Sequence, residues 1–288
     1  MWIFLALTAA FGAAGTSFAL KRAVAHGGVL VSTVACRAVA AVLLAGIVAA
    51  LGGWPHLPAE YWRALGLVLV PEVLGTLFMT LALRSGDLSL VQPLMGLLPP
   101  LVTIGGAVFL RETPTPVAAG GVLLVTLGVY CVGLQPGTSA LEPLRGVARS
   151  RAGAFAAASA VSWSLATLVH KRGIAAVGPF PWAVTLALGS ALALGAVLPL
   201  VAWRSGDGVG VPERAGPWGG AVALAGLAFA LQQAGLHLAF RATQAGYVMA
   251  VSSVGVLIGT LLGIVVLRER AAGALLVSGG AALIALFG

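Results

Sequence analysis

Long apolar runs dominate this chain, and the polar positions fall between the runs rather than alternating with apolar ones. About 20 mostly apolar residues are the length a helix needs to cross the hydrocarbon core of a bilayer. Reading for such runs predicts helices over 2–20, 29–51, 64–83, 88–110, 115–134, 152–170, 181–203, 217–240, 245–267 and 271–287. Connections such as Arg84-Ser85-Gly86-Asp87 and Arg268-Glu269-Arg270 are so short that neighbouring helices must run antiparallel. The expected fold class is all-α integral membrane, with ten transmembrane helices. One long polar stretch, Gln135 to Arg151, holds Pro136, Gly137, Pro143 and Gly146. It separates a first half, residues 1–134, from a second, residues 152–288, and residues 135–151 are read as the connecting loop.

The halves repeat one another. Lys21-Arg22 ends the first predicted helix and Lys171-Arg172 the sixth; Leu110-Arg111-Glu112 ends the fourth and Leu267-Arg268-Glu269 the ninth; Arg84 ends the third and Arg241 the eighth. The offsets are 150, 157 and 157 residues, so order and spacing are both kept. Charges stand at helix ends in every polytopic protein, but three matches in one order make a pattern. Five helices cross the membrane an odd number of times, so the second copy enters upside down. Inverted repeats are typical of secondary transporters, whose substrate site lies between the repeats near the midplane.

Composition agrees with lipid as the solvent. Hydrophobic residues make up 60% of the 288 and charged residues 8%, against roughly 25% charged in soluble domains. The net charge of +8 does not point to nucleic acid, because the basic residues sit singly or in pairs at the ends of apolar runs. That placement is the usual one for membrane spans. Cys36 and Cys131 lie inside apolar segments, which argues against a disulfide, and two cysteines cannot make a Cys-rich metal site. The apolar start has no basic residue before it and is followed by Lys21-Arg22, so it is read as the first span and not as a signal peptide.

Several of these residues resemble a known family. The run Leu98-Pro99-Pro100-Leu101-Val102, then Phe109-Leu110-Arg111-Glu112-Thr113-Pro114, then Gly120-Gly121 and Gly128-Val129-Tyr130 is similar to the EamA-type domain of the drug/metabolite transporter superfamily. Trp163, eight residues before Lys171, and Arg37 in the second helix fit the same domain. The resemblance covers essentially the whole chain as two such domains. It implies a ten-helix fold of two inverted five-helix halves that moves metabolites, often amino acids or similar small solutes, usually outward. Two departures stand out. The first copy has Ala13 where the second has Trp163, and neither copy carries the membrane glutamate that the small multidrug relatives place in their first helix. Their proton–drug exchange therefore does not transfer residue by residue.

Charge inside a span is expensive, roughly 2.5–3.5 kcal/mol on insertion scales. Two charges are deeply placed, Arg37 and Glu72. Glu72 is either a protonatable or cation-binding group facing a cavity, or the partner of Arg37 in a structural ion pair; helical rise puts their depths within roughly 10 Å. Glu72, Thr76 and Thr80 share one helix face, and Gln233 and His237 share another with Gln232 beside them. The 157-residue offset pairs Thr76 with Gln233 and Thr80 with His237, so the two stripes read as opposite walls of one wet cavity, or alternatively as interhelical hydrogen bonding. Trp163, between Ser162 and Ser164, either stacks on substrate or packs; His170 reads as interfacial, and Gly12 and Gly15 as close-packing positions. Pro93, Pro99 and Pro100 in the fourth helix, and Ser252, Ser253, Gly255 and Gly259 in the ninth, interrupt matching helices and are candidate gates lining the site.

No catalytic pair, metal-ligand cluster or phosphate loop is recognisable, so no enzyme, cofactor or metal is expected. The expected function is secondary, ATP-independent transport, as an exporter of small metabolites such as amino acids by alternating access. The alternative is a structural or regulatory membrane scaffold. A channel would need a pore ring that the sequence does not display. Expected partners are the bilayer, a small-molecule substrate and protons as the candidate coupling ion, with no nucleic acid, in a monomer or weak homodimer. The expected location is a cell membrane, the bacterial inner membrane. Connections after odd-numbered helices hold ten basic residues and those after even-numbered helices five, which puts both termini outside by the positive-inside rule. The resemblance puts them in the cytoplasm, and the side stays open.

Overall fold

The apolar runs fold as helices, and among the described residues there is no strand. The computed structural model describes residues 1–85, 94–132, 139, 141, 150–205, 210, 212, 215–255 and 258. Its helices are α1 (Trp2–Val24), α2 (Val29–Ala50), α3 (Ala59–Ser85), α4 (Leu98–Gly105), α5 (Pro116–Val132), α6 (Arg151–Val177), α7 (Pro179–Ser205), α8 (Ala215–Ala242) and α9 (Ala245–Ser252). A single π-helical turn, Gly106–Leu110, continues α4. Six of these helices are long and apolar enough to cross a membrane: α1, α2, α3, α6, α7 and α8. Leu98–Leu110 and Pro116–Gly128 are shorter apolar stretches. The predicted helix over 271–287, most of the connecting loop and Pro93 lie outside the described residues.

Local chemistry accounts for the ends. The Ser150 hydroxyl accepts from the Gly153 amide at 3.0 Å and caps α6. Gly178, with φ 87°, ends α6. Pro179 then opens α7, where a missing amide proton costs nothing. Pro99 and Pro100 occupy the first turn of α4, so they start a helix after the turn at Gly96-Leu97 rather than kinking a continuous one. The ninth helix also breaks early: α9 ends at Ser252, and Ser253 is a turn residue. Its continuation beyond residue 258 is outside the described residues.

The helices pair across the midpoint of the chain. The most extensive contacts are α1 along α8, α3 along α6 and α2 along α7, and α4 crosses α9. The α1–α8 contact depends on small residues. Ala6, Ala9, Ala10 and Ala14 are buried on α1, and a Cβ added at Gly12 would lie 2.5 Å from the Gln232 backbone nitrogen. Gly235 returns the arrangement: a Cβ there would lie 2.7 Å from the Leu5 carbonyl oxygen. With no hydrophobic drive between helices in lipid, such close backbone approach is a main source of association. Large residues instead point outward, among them Phe4, Phe11, Val42 and Leu192, where lipid tails would cover them.

Gly12→Val should therefore force α1 and α8 apart, because neither side can yield a backbone. The expected result is loss of the monodisperse peak of detergent-purified protein in size-exclusion chromatography. Gly46→Ala is the control: nothing lies within 4 Å of its added Cβ, and exchanging a mid-helix glycine for alanine stabilises by about 1 kcal/mol. Equal behaviour of the two variants would refute the packing argument.

Candidate functional site

The described residues form two buried polar groups, one centred on first-half helices and one on second-half helices, and a clamp that joins the two halves. The first group sits where α2, α3 and α8 meet. Pro71 falls inside α3 just before Glu72. Arg37 Nη1 donates to Glu72 Oε1 at 2.9 Å, and the two side chains are only 9% and 14% exposed. Arg37 Nη2 donates to Thr76 Oγ1 at 3.0 Å, and the Thr76 hydroxyl donates to the Glu72 carbonyl at 3.0 Å. The guanidinium also lies over the Phe229 ring of α8, 5.4 Å from its centroid. Glu72 is thus paired with Arg37, and the two charges cancel near the middle of the bundle. Thr80 is on α3, but its side chain lies outside the described residues.

The second group is aromatic and nitrogen-rich. Phe229, Gln233 and His237 recur every four residues along one face of α8. Gln233 is buried and His237 is completely inaccessible. His170 of α6 stands with its ring 5.3 Å from that of His237, near perpendicular. Trp182 Nε1 of α7 donates to His170 Nδ1 at 3.2 Å. The reading of His170 as interfacial is corrected here. Lys171-Arg172 does not end the helix, which runs on to Val177, so His170 is 7% exposed inside the bundle.

Trp163 is half-buried and packs against α3: a Cβ on Gly75 would fall 2.6 Å from its Cδ1. Ser159 Oγ donates to the Gly75 carbonyl at 2.8 Å in the same contact. Gln232 is half-buried with its backbone against Gly12. Ser252 Oγ donates to the Ala6 carbonyl at 3.4 Å, and Ser253 Oγ to the Met249 carbonyl at 2.9 Å within α9. Gly255 is buried, and a Cβ there would meet the Ala10 carbonyl oxygen at 2.7 Å.

The clamp ties connections together at the Glu112–Lys171 pair. Arg111 takes a left-handed conformation, φ 57°, which turns the chain out of the π-helical turn. Glu112 then points at the start of α9. Its Oε2 accepts from the Ala245 amide at 2.8 Å, a carboxylate at a helix N-terminus. Its Oε1 pairs with Lys171 Nζ of α6, which also donates to the Thr243 carbonyl at 2.6 Å. Gln244 Nε2 donates to the Thr113 carbonyl at 3.1 Å, and the Thr115 amide donates to the Tyr247 hydroxyl at 3.0 Å. The α4–α5 connection is thereby tied to the α8–α9 connection and to α6. In the sequence Glu112 and Lys171 stand out as repeat markers, and Glu112 also within the family-like motif, but nothing in the pattern pairs them.

Arg37 and the motifs around Pro99, Pro100, Arg111 and Glu112 all lie in the stretch that a family model matches. Residues 1–134 match the model described as the EamA-like transporter family. The first half of the chain is thus similar to the EamA-like transporter family. That family is described as one of transporters. Among the solved structures that match, one crystal structure has a TM-score of 0.74 at 18% identity, covering 99% of this chain and 96% of that one. At that identity the likeness speaks of the fold alone. Comparison with curated proteins gives no match. The EamA-like half supplies Arg37, Glu72, Thr76 and Glu112; residues beyond it supply Trp163, His170, Lys171, Gln233 and His237. Among the described residues no group of three or more His, Cys, Asp or Glu is placed to hold a metal.

Proposed function

We propose that the protein is a secondary transporter that exports small metabolites such as amino acids by alternating access. The observation that carries this reading is the buried polar seam of Arg37, Glu72, Thr76, Gln233 and His237, to which both halves contribute. Ionisable residues within membrane spans are costly, and they mark substrate and ion pathways in transport proteins.

In this reading residues 1–134 and 152–288 are inverted repeats. The pairing of helices supports it. Exchanging α1–α4 with α6–α9 turns the α1–α8 contact into α6–α3, the other extensive pair, and returns α2–α7 and α4–α9 to themselves. Close approaches match too. Gly75 against Ser159 and Trp163 becomes, at the offsets of 157 and 150 residues, Gln232 against Ala9 and Ala13, on either side of the observed Gln232–Gly12 contact. The interruptions before α4 and after α9 fall on matching helices, which suits gates. The bacterial inner membrane fits such a protein. The clamp then closes one side of the pathway.

A scaffold that uses these groups only for stability is the competing reading, and the complete pairing of Arg37 with Glu72 is the observation in its favour. Proteoliposomes decide between them. Purified protein, loaded with a panel of labelled amino acids and small amphipathic metabolites and given no ATP, should release at least one solute with saturable kinetics. Release no faster than from empty liposomes across the panel favours the scaffold.

A further inference from the structure

Resting on the transporter reading, we propose that His237, beside His170, is the proton-binding site through which pH sets the state of the clamped end. His237 has no exposed surface, and neither of its ring nitrogens has a hydrogen-bond partner. A neutral imidazole always presents one N–H donor and one bare nitrogen acceptor. Burying both unmet is costly, and a native protein keeps such a group for a reason. The Gln233 carbonyl lies one turn back along α8 but makes no hydrogen bond of acceptable geometry to the ring.

The surroundings make His237 the free member of the pair. Trp182 donates to His170 Nδ1, so neutral His170 carries its proton on Nε2, and adding a second at Nδ1 would expel the indole. His237 has no such lock. The other titratable groups around it are engaged. Glu72 of α3, whose charge reaches His170, is paired with Arg37 of α2. Tyr247, the titratable residue in the described part of α9, accepts from the Thr115 amide. The stretch of α1 packed on Gly235, Leu5 to Ala9, has no titratable residue, and α7 presents Trp182.

Position links the ring to the clamp. His170 immediately precedes Lys171, and His237 lies six residues before Thr243, whose carbonyl Lys171 holds. When that end opens and water enters, the bare nitrogen of His237 takes a proton from hydronium, whose O–H bond breaks as the N–H bond forms. The imidazolium then carries two N–H donors and a charge. It cannot return to its dry place 5.3 Å from the His170 ring. The end stays open until the proton leaves.

The test needs no substrate. Spin labels go on cysteines replacing the exposed residues Pro116 and Ala242, in a Cys36→Ser, Cys131→Ser background, and pulsed electron resonance reads their distance in nanodiscs at pH 8 and pH 5.5. The expected result is a several-fold larger open fraction at pH 5.5 in the otherwise native chain and no pH response in His237→Gln. If His237→Gln does not fold, His237→Asn takes its place, and 15N-histidine spectra of the native chain should show a buried imidazole gaining a proton as the end opens. A response that persists in the His237 variants, or that only Glu72→Gln removes, overturns the proposal. So does a native chain that gives no response. Because the distance is read without substrate, a pH-driven opening in a protein that moves no solute would sink the transporter reading and leave His237 as the proton site.

Discussion

Arg37→Ala is expected to destabilise the protein by about 3–5 kcal/mol, the usual cost of leaving one partner of a buried pair uncompensated. The reason is geometric: Glu72 would lose the Nη1 bond at 2.9 Å, and Thr76 the Nη2 bond at 3.0 Å, in a place with little water. Glu72→Gln should cost less, since an amide oxygen still accepts from the guanidinium. The informative variant is the double one, Arg37→Met with Glu72→Leu. Replacing a whole buried pair by apolar groups of similar volume is often neutral for stability, so the double variant should unfold close to the native chain in a thermal melt in detergent. Transport per folded molecule should nevertheless vanish. Native transport in the double variant would assign the pair to structure and remove it from the pathway.

The second large effect is expected at the clamp. Lys171→Met removes the partner of Glu112 Oε1 and the donor to the Thr243 carbonyl. The side chains are 21% and 16% exposed, and hydrogen bonds involving charged groups contribute about 1.5–3 kcal/mol. If the clamp holds one end shut, that energy appears in the open–closed equilibrium, a shift of roughly tenfold to a hundredfold. Glu112→Gln should do part of the same, because its amide oxygen can still cap Ala245. Label distances between residues 116 and 242 give the open fraction, and the double variant should shift little more than Lys171→Met alone. Additive shifts would show that the two residues act separately.

Much of the architecture is legible from residue pattern. Apolar runs predict helices at nearly the places where α1, α2, α3, α6, α7 and α8 lie, because in lipid a backbone must satisfy its own hydrogen bonds and a helix does so within the run. Ends were harder to place. α6 runs on from Lys171 because Gly173, Ile174 and Val177 are buried against neighbouring helices, notably Trp182, and a single chain segment carries no sign of that partner. The Arg37–Glu72 pairing could be raised from depth alone, since two unlike charges at similar height in adjacent helices have few other solutions. Trp182 on His170 joins two consecutive helices, whereas Lys171 on both Glu112 and Thr243 joins elements distant in sequence. Only their charges or rings are visible in the chain, and the packing that brings them together is not.

In an alternating-access transporter the polar seam faces one side of the membrane and then the other. Gln233→Cys, in the Cys36→Ser, Cys131→Ser background, tests it with a membrane-impermeant thiol reagent applied to either side of oriented proteoliposomes. The account predicts labelling from each side, with conditions that close the clamped end suppressing labelling from that side and enhancing it from the other. A cysteine at 233 that reacts from neither side, or from both sides at once with no such exchange, would contradict it.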